Sequence, residues 1–151
     1  MTYGRIAAAC AAAIALQSAP LWAHCEIPCG IYGDELRFSM IGENISTVEK
    51  SMKMIAELSG DSANANQVAR WVNNKEKHAD HIREIVTQYF LTQRIKLPSP
   101  ETEAQEAYKN KLALLHQMLV YAMKCKQTTD TANADKLREL AQEFRQAYET
   151  G

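Results

Sequence analysis

Six consecutive residues, His24-Cys25-Glu26-Ile27-Pro28-Cys29, gather one imidazole and two thiols in a chain with only four histidines and four cysteines. Pro28 and Gly30 allow tight backbone reversals, so this segment can wrap one ion. A cut that made His24 the first residue would add a free α-amino group beside the imidazole. An amine, the next amide nitrogen and two thiolates can form a square plane. Tetragonal nitrogen and sulfur coordination points to Ni(II) or Cu(II) over a tetrahedral zinc site. The C-x3-C spacing differs from the C-x2-C of thioredoxin-like redox sites and from the haem-attachment pattern. A plain Cys25–Cys29 disulfide stays open as an alternative in an exported protein.

The preceding residues supply such a cut. Residues 1–5 carry one positive charge, Arg5, and residues 6–16 (IAAACAAAIAL) are apolar and uncharged. Residues 17–23 (QSAPLWA) are more polar, contain Pro20 and end in Ala23. This is the three-part layout of a secretory signal peptide. Eleven residues at ~1.5 Å each fall short of a ~30 Å hydrocarbon core, so no membrane anchor is expected. Cleavage after Ala23 is expected, with Ala19 as the competing site. Cys10 leaves with the leader, and removing 23 of 151 residues leaves 128 with three cysteines. Export to the periplasm or outside the cell is expected. The alternative is a cytoplasmic protein whose leader acts as a propeptide.

The rest must position this segment. With 46 % apolar and 23 % charged residues, the composition is globular. It excludes a disordered, collagen-like or multi-span membrane chain. A net charge of −1 argues against a nucleic-acid partner. Six glycines and four prolines are too few for a turn-rich β-sandwich. Apolar stripes at helical spacing predict four helices. Residues 34–58 carry Ile41, Ile45, Val48, Met52 and Ile55. Residues 63–96 carry Val68, Val72, Ala79, Ile82, Val86 and Tyr89, with Lys75 in one slot of the stripe. Residues 101–126 carry Tyr108, Leu112, Leu115, Leu119 and Ala122, and residues 132–149 carry Leu137, Leu140, Phe144 and Ala147. Gly60-Asp61-Ser62, the run from Leu97 to Pro100, and residues 127–131 separate them. The expected fold is all-α, an up-down antiparallel four-helix bundle over 34–151. An irregular N-terminal metal-binding segment at 24–33 and a leader at 1–23 are expected ahead of it.

The string HCEIPCGIY at 24–32 resembles the N-terminal hook of nickel superoxide dismutases, whose pattern is H-C-x-x-P-C-G-x-Y. His24, Cys25, Pro28, Cys29, Gly30 and Tyr32 all match. The resemblance implies a superoxide dismutase cycling Ni(II) and Ni(III), with one nickel ion per chain and superoxide as its small-anion substrate. It implies equatorial ligation by the His24 amine, the Cys25 amide and the Cys25 and Cys29 thiolates. The His24 imidazole would be axial in the oxidised state. A cis Ile27–Pro28 bond would close the hook, and Tyr32 would stand over its open face. Tyr89 matches the family's second tyrosine more loosely, its other reading being a core aromatic. A homohexamer and a processing protease also follow from the resemblance. Glu26 stands where aspartate is common, and Glu43, Lys75 and Glu76 are candidate partners for the His24 imidazole. The rival readings are a non-enzymatic exported nickel or copper binder and a structural bundle with a Cys25–Cys29 disulfide.

Elsewhere, His78 and His81 form H-x-x-H and could share a metal. The charged stretch 75–83 reads instead as a solvated or intersubunit face. His116 is expected as a hydrogen-bonded helix histidine, and Cys125 as a lone thiol. Met40, Met52, Met54, Met118 and Met123 read as packing residues. Lys109, Lys111, Lys124 and Lys126 read as solvated, with some able to steer an anion. Met54, Phe90 and Tyr121 are an apolar surplus that could cover a further face.

Overall fold

The computed structural model describes residues 33–99 and 104–150. The leader and the hook residues His24, Cys25, Pro28, Cys29, Gly30 and Tyr32 lie outside them. Four helices run α1 (Asp34–Leu58), α2 (Ala65–Glu84), α3 (Ala104–Gln127) and α4 (Ala132–Glu149). Sequential helices pack side by side and α4 closes against α1, which gives the expected all-α bundle. No helix among the described residues is long and apolar enough to cross a membrane.

The first helix follows its stripe. Asp34 and Glu35 stand in its first turn, where negative charge complements the helix dipole. Ile41, Ile45, Val48, Met52 and Ile55 are all buried. Past Ser59-Gly60, the Asp61 side chain accepts a 2.9 Å hydrogen bond from the Ala63 amide and starts a short 3₁₀ turn, Ser62–Asn64. On α4, Leu137, Leu140 and Phe144 are buried as expected, and Ala134 joins them.

Two stripes need correction. On α2, Ala79 and Ile82 are buried, whereas Val68 is half-buried and Val72 is 37 % exposed. The reason is length. Lys75 binds the carbonyls at the C-terminal end of α3, so α2 before Lys75 projects past that helix. On α3 the buried line is Leu114, Leu115, Met118, Ala122 and Cys125. Tyr108, Leu112 and Leu119 flank it, half-buried. Residues 118–122 are apolar on every side, so periodicity alone could not fix which face turns inward. His116 is exposed, and Phe90 is fully buried in the core instead of covering a further face.

The second helix changes winding. Beyond Glu84 the chain continues as a π-helix, Ile85–Arg94, closed by a 2.9 Å bond from the Ile95 amide to the Phe90 carbonyl. The helix ends before the extended run at Leu97-Pro98, as proline demands. In an α-helix, residues five apart point ~140° away from each other. Bonding i to i+5 makes them neighbours. Tyr89 and Arg94 therefore share one side of this segment. Phe38, Phe90, Phe144 and Tyr148 fill this end of the bundle, with Phe90 4.9 Å from both Phe38 and Phe144 between ring centroids.

Candidate metal centre

The described chain begins at Gly33-Asp34, and this end of the bundle is built around one carboxylate. The Tyr89 hydroxyl donates to Asp34 Oδ1 at 2.5 Å. Arg94 Nη2 donates to Asp34 Oδ2 at 2.6 Å, and the Tyr148 hydroxyl donates to the same oxygen at 2.8 Å. Arg94 Nε reaches the Tyr148 hydroxyl at 3.2 Å. Arg37 and Arg94 lie 5.3 and 5.7 Å from the Tyr89 ring centroid. Residues from α1, the π-helical segment and α4 thus converge on Asp34.

The charges in this cluster are mutually fixed. Burial alone would raise the Asp34 carboxyl, but hydrogen bonds from Arg94, Tyr89 and Tyr148 outweigh it and hold Asp34 below the usual carboxylate range. Burial and the bond to Asp34 push the Tyr89 phenol up to about 12. Tyr148 is raised for the same two reasons, and Arg94 is raised by its bonds to Asp34 and Tyr148. The core-aromatic reading of Tyr89 holds, and its match to the family's second tyrosine concerns a segment outside the described residues. Its ring is core, packed edge-on to Phe90 at 5.1 Å, and its hydroxyl bonds Asp34, the first residue of α1. Beside this cluster lies a cleft of about 470 Å³ lined by Arg94, Lys96, Tyr108, Lys111 and Tyr148.

The three candidate partners of the His24 imidazole lie apart from the Asp34 cluster, and His24 itself lies outside the described residues. Glu43 is exposed, nine residues and ~13 Å of helix beyond Asp34. Lys75 is buried and donates to the Cys125 and Thr128 carbonyls at 3.0 and 3.4 Å, and also to that of Lys126. Glu76 lies 3.4 Å from both the Lys75 and Lys126 ammoniums. Lys75 stands fourteen residues, ~21 Å of helix, before Tyr89. The stretch 75–83 is thus not a uniformly solvated face.

His78 is half-buried, and its Nδ1 lies 2.6 Å from Oδ1 of the buried Asn44. The rings of His78 and His81 meet edge-on at 5.6 Å. Among the described residues no group of three or more His, Cys, Asp or Glu side chains could hold a metal ion. Cys125 is buried, its thiol pushed up to about 11 by burial. Residues 24–29, where the sequence places a metal-binding donor set, lie outside the described residues. Asp34, Arg94 and Tyr148 escaped the sequence reading. They come from positions up to 114 apart, and their only local signal was an acidic residue opening α1.

The chain matches the family model described as nickel-containing superoxide dismutase over residues 19–151. No curated protein and no solved structure matches it.

Proposed function

Because the chain belongs to the nickel-containing superoxide dismutase family, we propose that its nickel is held by the hook at 24–32. The protein is an oxidoreductase that disproportionates superoxide to oxygen and hydrogen peroxide, and nickel is its cofactor. The observation that carries the hook reading is the donor set itself. His24, Cys25 and Cys29 offer an amine, an amide nitrogen, an imidazole and two thiolates within six residues. The matched span contains all of them.

These donors fit nickel chemically. Thiolate and deprotonated amide push electron density onto the metal, and hydrogen bonds around them tune the result. Bound nickel supplies the one-electron exchange in each direction that dismutation requires. The chain's own residues do the rest. In this reading Pro28 and Gly30 would let the backbone turn to bring both thiolates to one ion, and Tyr32 would restrict access to small anions. Asp34 and Tyr89 support the root of the hook, and the Arg94, Lys96 and Lys111 cleft presents positive charge on the same end of the bundle.

The amine must belong to the first residue of the working protein. We therefore read 1–23 as a leader removed by a protease, which places the protein outside the cytoplasm. Assembly into a homohexamer completes this reading. N-terminal sequencing of purified protein tests it directly, and a start anywhere but His24 would sink it. Cys25→Ser and Cys29→Ser should each lose nickel and activity with helix content nearly intact. Collapse of the bundle in either variant would assign those cysteines a structural role instead.

A further inference from the structure

We propose that Asp34 is a positioning residue of the nickel centre: held by Arg94 and Tyr148, it aims the Tyr89 phenol at the root of the hook as a neutral group that keeps its proton. This rests on the hook reading above and adds a role for a carboxylate outside the ligand segment.

The geometry argues as follows. A phenol has one proton, and Tyr89 gives it to Asp34 Oδ1 at 2.5 Å. Toward anything else it meets, the oxygen can then only accept. Asp34 cannot swing away, because Arg94 and Tyr148 grip its other oxygen at 2.6 and 2.8 Å. The π-helical winding puts Tyr89 and Arg94 on the same carboxylate, so the device depends on that irregular turn. The charged and titratable groups against Tyr89 include Asp34 and Arg37 on α1, Arg94 on its own segment and Tyr148 on α4.

Two consequences follow for dismutation. The phenol stays neutral further into the alkaline range than an ordinary tyrosine, so a phenolate that would repel an anionic substrate forms later as pH rises. The proton needed for peroxide formation does not come from Tyr89.

The test uses the full processed chain, with nickel and after its removal. Tyr89 is followed through carbon-13 labelled tyrosine, assigned by Tyr89→Phe. In the parent chain its titration should centre near 12. In Asp34→Asn it should move down toward the ordinary tyrosine value of about 10. One nickel per chain should remain, turnover should drop about tenfold, and the alkaline limb of the pH–rate profile should move down in step with the phenol. Asp34→Glu should restore part of both. An unchanged Tyr89 titration in Asp34→Asn, or an unchanged pH–rate profile, would overturn the proposal.

If Asp34→Asn does not fold, Tyr148→Phe reads the same device by removing one donor from Asp34. It should loosen Tyr89 and change its titration, and no change would overturn the proposal. The titration in nickel-free protein stands apart from the hook reading. Failure of the hook would appear as nickel retained in Cys25→Ser, with the Tyr89 titration unaffected.

Discussion

The Lys75 ammonium lies 3.0 Å from the Cys125 carbonyl oxygen, across the α2–α3 interface and fifty positions away in sequence. The Lys126 and Thr128 carbonyls accept from the same group. These belong to the last turn of α3 and the residue just past it, where carbonyls lack partners within the helix. A cation there also complements the helix dipole. A charged residue in a core slot of the α2 stripe is thereby explained. Its stem fills the interface and its head caps a neighbouring helix.

Lys75→Met should keep much of the stem packing and lose the cap. Buried carbonyls without partners and a vacated charge site place the expected loss at about 2–4 kcal/mol. Urea unfolding followed by circular dichroism measures it. Nickel content should be unchanged, since Lys75 stands far along α2 from the root of the hook. A midpoint equal to that of the parent would show that water replaces the ammonium without penalty.

Cys125 tests the same interface chemically. It is fully buried, and its thiol is pushed up to about 11 by burial, only partly opposed by the Lys75 charge. Thiolate is the reactive form, so native protein treated with iodoacetamide at pH 8 should carry no label at Cys125. Labelling in denaturant should be complete. Peptide mapping by mass spectrometry distinguishes the two, and rapid native labelling would mean that α3 opens readily at its C-terminal end.

How legible was all this in the sequence? The α1 and α4 stripes read directly, because one narrow apolar face alternates with charge. On α3 the run Met118-Leu119-Val120-Tyr121-Ala122 offers apolar side chains on every face. Only packing against α2 and α4 decides that Met118 is buried and Leu119 half-buried. The segment read as metal-binding stood out because its donors fall within six residues, His24 to Cys29, though it lies outside the described residues. The Asp34 cluster did not, for two physical reasons. Its members come from three elements, and the π-helical winding shifts the face that an α-helical period would assign to Arg94.

Charge around the hook-end cleft should matter to encounter rate. Arg94, Lys96 and Lys111 line it, and cations grouped near a site attract a small anion and raise its on-rate. Lys111→Glu should lower kcat/KM for superoxide and flatten its fall with rising salt, because screening has less attraction to remove. Turnover at saturating substrate should stay close to the parent value. Pulse radiolysis at several ionic strengths reads both quantities. An unchanged salt dependence would place the path of approach elsewhere.

His78 should make the α1–α2 interface sensitive to acid. Its pKa is lowered from 6.5 by burial, then by the nearby charges of His81 and Lys77. Asn44 Nδ2 donates to the Met40 carbonyl at 2.7 Å, which leaves Oδ1 facing His78 Nδ1 at 2.6 Å. A lowered folded pKa means that the unfolded chain binds the proton first. Stability is therefore fully present above about 6.5, the ordinary histidine value. It falls as pH drops from there through the lower folded value. His78→Gln keeps a donor for Asn44 and does not titrate. Denaturation midpoints between pH 7.5 and 5 should fall less in His78→Gln than in the parent. Parallel curves would show that His78 stays comfortably protonated in the bundle and that other groups set the acid limit.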